Sequence, residues 1–234
     1  MLMHIKKAMI LAAGYGKRML PLTETTPKPL IEIGSKNFLE RSIELLINIG
    51  VEEIVLNTHH LSNVIEKFIK KKKYKASIDL IKEDELLDTG GGILNATKKF
   101  NDEPFFVLNP DTIWNKNYYG EFKMLENFYQ TKKKPLLLLV NKNKSHDKSF
   151  KGDFNFTNQK IITRERNNNY IFTGAQIMNR SIFSGVENKI FSMNLIWDQL
   201  IEKQILLAQE SNQTFFHVNS LKVFKELEKL KFID

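Results

Sequence analysis

Leu11-Ala12-Ala13-Gly14-Tyr15-Gly16-Lys17-Arg18-Met19, continued by Pro21-Leu22-Thr23 and Thr26-Pro27-Lys28-Pro29-Leu30, decides how this chain is read. An apolar run, Lys7–Leu11, ends at a pair of glycines and is followed by well-placed cations. Backbone N–H groups at such a glycine hinge can point at phosphate oxygens, because no side chain blocks the approach. Arg18 and Lys28 stand ready to neutralise the charge. The segment reads as a strand leading into a cradle for a polyphosphate.

Outward from this segment, apolar strand-like runs alternate with helical periodicity. Asn37–Ile49 places Phe38, Ile43, Leu46 and Ile47 on one face, with Asn37 as N-cap, Glu40 three residues on and Gly50 as terminator. Glu53–Asn57, Ser77–Ile81 and Phe105–Leu108 read as strands and Ser62–Lys71 as an amphipathic helix. Gly90-Gly91-Gly92 is expected to lead into a short helix through Ile93–Thr97. In the second half, Pro135–Val140 is a strand and Phe150–Tyr170 a hairpin excursion. Tyr170–Met178 is a strand broken at Gly174. Helices are expected over Leu195–Leu207 and Leu221–Leu230. Repeated strand–helix–strand units predict an α/β fold with a single domain over 1–234, built on a doubly wound, mostly parallel but mixed sheet. Ligands of such sheets bind at the carboxyl ends of strands. The glycine loop, Asn57-Thr58-His59 and Asn109-Pro110-Asp111 all follow strands and so converge on one rim.

Composition narrows the function classes. The 234 residues suit one substantial core, and the absence of cysteine excludes disulfides, thiolate zinc sites and a cysteine nucleophile. Lys6-Lys7 before Ala8–Ala13 imitates a signal peptide. Its apolar part falls short of the roughly 7–15 residues of an h-region, and no run approaches the roughly 20 of a membrane span. A cytoplasmic protein with no membrane partner is expected. The net charge of +8 concentrates in Lys70–Lys73 and Lys132–Lys134 without interleaved aromatics. That pattern predicts solvated faces and attraction for anionic substrates, with no nucleic-acid partner.

Familiar glycine loops fit poorly. In a dinucleotide fingerprint a third glycine would fall at Met19, and Pro21, Pro27 and Pro29 obstruct the helix that should follow. A phosphate-binding loop ending at Gly16-Lys17 would need glycine at Leu11. The segment instead resembles the signature of the sugar-nucleotidyltransferase family, Leu-x-x-Gly-x-Gly-x-Arg-Met, then Pro-Leu-Thr, then Pro-Lys-Pro-Leu. The resemblance continues through Asp88-Thr89-Gly90-Gly91-Gly92-Ile93, Asn109-Pro110-Asp111 with Trp114, and Phe172-Thr173-Gly174. The wording at 88–93 and 111–114 is most similar to the N-acetylmuramate 1-phosphate uridylyltransferase branch.

The resemblance implies a nucleotide-diphospho-sugar transferase-like fold and two partners, a nucleoside triphosphate and a sugar 1-phosphate. For that branch they are UTP and N-acetylmuramate 1-phosphate, in peptidoglycan recycling. The sugar phosphate attacks the α-phosphorus in line and releases pyrophosphate, so no protein nucleophile is needed and catalysis is positioning and charge neutralisation. Arg18 and Lys28 carry the catalytic charge. Leu11, Ala12, Ala13, Gly14, Gly16, Lys17 and Arg18 bind the nucleotide, with Gly90 and Gly91 reading the base through their backbone. Asn109 and Gly174 contact the sugar. Asp111 is the ligand for Mg²⁺, with Mn²⁺ as the alternative. Residues 1–115 form the nucleotide half and 116–234 the sugar-phosphate half.

One departure stands out. The family writes Asp-(Val/Ile)-Gly-Thr near its C-terminus, the aspartate being the second metal ligand. Here the text is His217-Val218-Asn219-Ser220, which makes His217 a candidate ligand of a kind better suited to softer metals than Mg²⁺. Glucose or mannose 1-phosphate and phosphocholine are rival acceptors. A nucleotide-sugar-binding regulator without catalysis is the rival of a different class, favoured only by His217.

Overall fold

Apolar runs too short for a helix become the buried middle of a sheet. In the computed structural model, which describes residues 4–230, the strands and helices follow in chain order. They are β1 (Lys7–Leu11), β2 (Glu32–Ile33), β3 (Lys36–Asn37), α1 (Phe38–Asn48), β4 (Glu53–Thr58), α2 (Ser62–Lys71), β5 (Ser77–Lys82), α3 (Asp88–Ala96) and β6 (Phe105–Leu108). Then come α4 (Tyr118–Lys132), β7 (Leu136–Asn141), β8 (Asn155–Phe156), β9 (Ile162–Thr163), β10 (Tyr170–Met178), α5 (Met193–Glu202), β11 (Leu207–Ser211) and α6 (Leu221–Leu227).

One seven-stranded sheet, ordered β11-β7-β10-β6-β1-β4-β5, runs through both halves of the chain. β1 pairs in parallel with β4 and β6, β4 with β5, and β11 with β7, while β10 is antiparallel to both β6 and β7. Alternate residues feed two cores. Ala8, Ile10, Ile54, Leu56, Phe106 and Leu108 pack under α1, α2 and α4. Met9, Val55, Phe105, Val107, Leu137 and Leu139 pack under α3 and α5. Both faces are covered, which is why the central strands read as unbroken apolar runs. The expected mixed, doubly wound α/β sheet is the observed one.

Two connections diverge where it matters. The chain leaves β1 toward β4 on one side, and later leaves β6 toward β7 on the other. The crevice between the carboxyl ends of β1 and β6 is therefore the switch point at which open α/β sheets bind ligands. A third, smaller core fixes the segment that follows β1. Met19, Ile31, Ile33 and Phe38 pack with Ile113, Val218, Val223, Phe224 and Leu227. It pins the glycine loop and its Pro-Lys-Pro tail against α6 and the chain before it.

Several boundaries differ from the expectation. The glycine run opens no helix. It lies inside α3, which starts at Asp88, because these glycines serve close packing. The helix expected over Leu195–Leu207 stops at Glu202; Gln204, at φ 54°, turns the chain and Leu207–Ser211 becomes the edge strand β11. α4 was not expected at all. Its buried face includes Glu121 and Glu126, whose carboxylates accept from the N–H groups of Asn212 (2.8 Å) and Ile5 (2.5 Å), so polar residues mask the apolar period. The last helix ends at Leu227 instead of Leu230. β10 is continuous, but its register against β7 shifts between Phe172 and Gln176, around Gly174 at φ 94°.

Candidate active site

A cavity of about 640 Å³ opens over the ends of β1, β4 and β6. Leu11, Ala12, Ala13, Gly14, Gly16, Lys17, Arg18, Lys28, Asn109 and Asp111 all line it. The loop that closes it is shaped by packing. Gly16 sits at φ 65°, and a Cβ there would come within 2.8 Å of the Thr23 methyl group. The Thr23 hydroxyl donates to the Gly16 carbonyl at 3.0 Å, folding the Pro-Leu-Thr turn onto the glycine loop and bringing Lys28 with it. Gly14 has open space around it, and its N–H has no acceptor among the described residues. Arg18 is exposed and has no carboxylate partner among the described residues. Both are available to a bound anion.

Behind the loop runs a buried relay that sequence reasoning missed. The Ala12 N–H donates to Asn57 Oδ1 at 2.9 Å, and Asn57 Nδ2 donates to Glu83 Oε1 at 2.8 Å. Glu83 Oε2 accepts the Leu87 N–H at 3.2 Å. Three strand ends, β1, β4 and β5, are thereby tied to the start of α3. Asn57 was legible only as a strand-end residue, and Glu83 carried no signal, since a buried acid on a polar stretch looks like any exposed one.

The charged centre of the cavity is a pair. Lys28 Nζ donates to Asp111 Oδ2 at 2.5 Å, with both side chains largely buried. Asp111 Oδ1 is fully buried and has no hydrogen-bond partner among the described residues. Burial alone would raise this carboxyl; the neighbouring His217 and Lys28 reverse that and hold it at about 2. His217 itself is pushed down by burial, against the pull of Asp111, so its imidazole is neutral near pH 7. Lys28 is then the cation that keeps Asp111 ionised.

The placement of His217 follows from a short ladder. Val218 N–H donates to the Asp111 carbonyl and Ile113 N–H to the Phe216 carbonyl, both at 2.8 Å, and Ser220 caps α6 by accepting from the Val223 N–H. His217 Nδ1 lies 3.7 Å from Asp111 Oδ1 and 3.1 Å from Thr112 Oγ1. The Thr112 hydroxyl already donates to the Thr173 carbonyl at 2.6 Å. The imidazole must therefore donate to the hydroxyl oxygen, which puts the proton on Nδ1. Toward Asp111, His217 presents an N–H and no lone pair. For His217 to serve as a second metal ligand, its contact with the Thr112 hydroxyl would have to be given up and that proton lost. Among the described residues no group of three or more His, Asp or Glu side chains could hold a metal. The orphaned Asp111 Oδ1 fits a single hard ligand to a divalent cation whose other ligands come from phosphate oxygens and water.

Gly90, Gly91 and Gly174 lie behind the walls. Gly90 and Gly91 donate their N–H groups to the Phe191 carbonyl at 2.9 and 3.0 Å, and a Cβ on either would collide with Phe191 or the Lys189 carbonyl. Their amides are engaged, so the base is not read through them in this arrangement; the wall is formed by Leu86, Asp88, Thr89 and Ile190. A Cβ on Gly174 would come within 2.9 Å of the Asn109 Cβ. Gly174 lets Asn109 lie against β10, with its N–H donated to the Gly174 carbonyl at 2.8 Å and its own carbonyl accepting from Trp114 Nε1 at 2.9 Å.

Asn109 also lines a second, polar cavity of about 410 Å³, with His217, Asp153, Arg164, Phe172 and Trp197. Burial pushes the Asp153 carboxyl up, against the Phe172 N–H and Arg164. Arg164 is held by Asp198 and Asn194 and lies 4.8 Å over the Phe154 ring. Aromatic walls with fixed polar groups suit a sugar ring. Of these residues Asn109 was expected at the sugar and His217 as a metal ligand, and Phe172 was noted without a role. The others come from a hairpin and a helix whose side chains converge only on folding.

The nucleotidyl transferase family model matches residues 7–164. Mannose-1-phosphate guanylyltransferase catalytic subunit beta of Drosophila pseudoobscura pseudoobscura is 30% identical over 93% of this chain and 60% of that protein. N-acetylmuramate alpha-1-phosphate uridylyltransferase of Caulobacter vibrioides is 37% identical over 47% of each. The chain spans 30% to 60% of the length of the mannose-1-phosphate guanyltransferases it matches first. In fold it is similar to a UDP-glucose pyrophosphorylase complexed with UDP-glucose (TM-score 0.80, 18% identity, 96% of this chain and 97% of that one). It is also similar to HddC from Yersinia pseudotuberculosis complexed with GMP-PN (TM-score 0.76, 23% identity, 96% and 99%). No helix of the described residues is long and apolar enough to cross a membrane.

Proposed function

The chain belongs to the nucleotidyl transferase family, and we propose that it joins a nucleoside triphosphate to a sugar 1-phosphate. The observation that carries this reading is the Lys28–Asp111 pair at 2.5 Å facing the glycine loop, with Asp111 Oδ1 left unpartnered. An oxygen of the sugar phosphate attacks the α-phosphorus, a new O–P bond forms, and the bond to the leaving pyrophosphate breaks. The Gly14 N–H and Arg18 hold the departing phosphates, and Lys28 offsets charge at the α-phosphate. These groups are in place before the reaction, so little reorganisation is needed when charge moves. Asp111 Oδ1 would hold a divalent cation, Mg²⁺ by preference and Mn²⁺ as substitute, which when bound neutralises phosphate charge.

The second cavity receives the sugar, with Phe172 and Trp197 as apolar walls and Asn109, Asp153 and Arg164 for hydroxyl or amide groups. Residues 1–115 supply most of the groups for the nucleotide and 116–234 most of those for the sugar, with Ile190 crossing to the first cavity and Asn109 to the second. Two finer readings have support. Uridylyl transfer to N-acetylmuramate 1-phosphate rests on the wording at 88–93 and 111–114 and on the Caulobacter relative. Guanylyl transfer to mannose 1-phosphate rests on the Drosophila relative, whose similarity runs along 93% of the chain.

Pyrophosphate release, measured for UTP and GTP against mannose, glucose and N-acetylmuramate 1-phosphates, tests the reading. One pairing should turn over in the presence of Mg²⁺, and Lys28→Ala should lower its rate about 100- to 1,000-fold. Binding of nucleotides without release in any pairing would favour the regulator instead.

A further inference from the structure

The loop after β1 is tied to the end of β4 by side chains that do not line the cavity. Gly14, Gly16 and Lys17 line it, whereas Tyr15 among them does not; its side chain lies outside and is 41% exposed. The Tyr15 hydroxyl meets His59 Nε2 at 3.0 Å, and the two rings pack edge to face with centroids 5.4 Å apart. His59 Nδ1 meets the Glu83 carbonyl at 2.9 Å. A carbonyl oxygen only accepts, so Nδ1 carries a proton. In the neutral ring Nε2 is then an acceptor, and the Tyr15 hydroxyl donates to it.

Glu83 thereby holds the loop along two lines. Its carboxylate reaches the Ala12 N–H through Asn57, and its carbonyl reaches Tyr15 through His59. Its own N–H donates to the Thr58 carbonyl at 2.7 Å, and the residue is buried, so both lines start from a fixed point. His60 grips the other arm of the loop. Its ring lies 5.4 Å from that of Tyr15, and its Nε2 donates to the Thr23 carbonyl at 3.2 Å. Thr23 is the residue whose hydroxyl folds the Pro-Leu-Thr turn onto Gly16. Two adjacent histidines thus diverge to opposite arms of one loop, beside a turn that places Leu61 at φ 53°, a conformation that a side chain disfavours.

A loop with two glycines has much freedom to lose when it closes on a phosphate chain. Tyr15 stands between them, so a bond from its side chain restrains both at once. Its ring also orients a cation, since Lys17 Nζ lies 5.3 Å from the ring centroid.

We infer that Tyr15 and His59 are positioning residues: His59, anchored on the Glu83 carbonyl, latches Tyr15 and so presets the Gly14 N–H and Lys17 for the phosphate chain of the nucleotide. This inference rests on the nucleotidyl-transfer reading. Neither side chain touches the nucleotide; the gain is a loop ordered before the ligand arrives.

Calorimetric titration of the full chain with GTP, UTP and inorganic tripolyphosphate tests it, using wild type, Tyr15→Phe, His59→Leu and the double variant. Tyr15→Phe removes one exposed hydroxyl and keeps the ring beside Lys17, so the thermal midpoint should stay within about a degree. Affinities for tripolyphosphate and for both nucleotides should fall together about 3- to 10-fold, the weight of one hydrogen bond net of water. The GTP-to-UTP ratio should not change, because the latch orders the phosphate loop and leaves the base alone. His59→Leu should show the same loss, and the double variant should bind no more weakly than His59→Leu alone. Unchanged tripolyphosphate affinity in Tyr15→Phe, or losses that multiply in the double variant, would overturn the inference. Should His59→Leu fail to fold, Tyr15→Phe alone decides it. Wild type that binds neither nucleotide nor tripolyphosphate would instead overturn the nucleotidyl-transfer reading.

Discussion

Replacing Lys28 by methionine removes a charge from the centre of the cavity while keeping most of the side-chain volume. In the wild type the Asp111 carboxyl is held at about 2, against about 3.9 in an unfolded chain. A depressed carboxylate stabilises the folded state above its unfolded value and loses that contribution as pH falls through its folded one. The difference is worth about 2.6 kcal/mol at neutral pH. His217 and Lys28 both draw the carboxyl down; with His217 neutral at pH 7, the charge beside Asp111 there is that of Lys28. In Lys28→Met burial dominates and Asp111 rises above its unfolded value. The sign then reverses: the variant is least stable at neutral pH and regains stability as Asp111 protonates on acidification. Urea unfolding should show Lys28→Met less stable than wild type by about 3 kcal/mol at pH 7, in line with breaking a buried ion pair. The wild-type contribution is nearly intact at about pH 4.5 and is lost between about pH 4 and 2, so the gap should be less than half of that at about pH 2.5. In an Asp111→Asn background it should nearly vanish at both pH values. An equal gap at both pH values, or one that survives in Asp111→Asn, would refute the assignment of Lys28 as the partner that keeps Asp111 charged.

Other substitutions separate folding from binding. Gly14→Ala meets nothing within 4 Å, so its thermal midpoint should stay within about a degree while nucleotide affinity falls about tenfold in titration, because the loop loses close approach to phosphate. Gly92→Ala places a Cβ 2.8 Å from Asn57 Nδ2 and 3.0 Å from Glu83 Oε1; it should cost about 1–3 kcal/mol in urea unfolding and weaken nucleotide binding with it. His217→Asp sets a second buried carboxylate beside Asp111, so thermal denaturation should come several degrees earlier without divalent cation and recover on adding Mg²⁺. A midpoint indifferent to Mg²⁺ would count against a cation between these positions.

The parts that were legible share a physical reason. β1, β4 and β6 are covered on both faces, so nearly every residue reports burial, and unbroken apolar runs such as Ala8–Ala13 and Phe105–Leu108 admit few alternatives. α2 sits on the surface with one face inward, and its period is clean. β11 and α4 are the opposite case. β11 is an edge strand with the partly polar text Leu207-Ala208-Gln209-Glu210-Ser211, and α4 buries two carboxylates that satisfy backbone N–H groups far away in sequence. Their burial is decided by partners that no local window contains. The cradle was legible because glycines and cations lie within twenty residues of one another. The second cavity was not, because Asp153, Arg164, Phe172 and Trp197 carry no chemistry individually.

The glycines at 90 and 91 show how a motif can be recognised and its mechanics misread. A glycine run beside a ligand admits two causes, an amide aimed at the ligand or room for a neighbour, and sequence alone cannot separate them. The structure does: both amides end on the Phe191 carbonyl, and the missing Cβ atoms make way for residues 189–191. The same reasoning applies to His217. Its neighbours Val218 and Ser220 keep the ladder and the helix cap, so the local fold does not need an acid at 217. What an acid would add is charge, and next to an ionised Asp111 a second buried carboxylate is tolerable only with a cation between them. The imidazole removes that demand. Asp111 then needs only Lys28, and a cation, when bound, depends on the phosphates it accompanies. Metal affinity in the absence of nucleotide should accordingly be weak, and should rise when a triphosphate occupies the cradle.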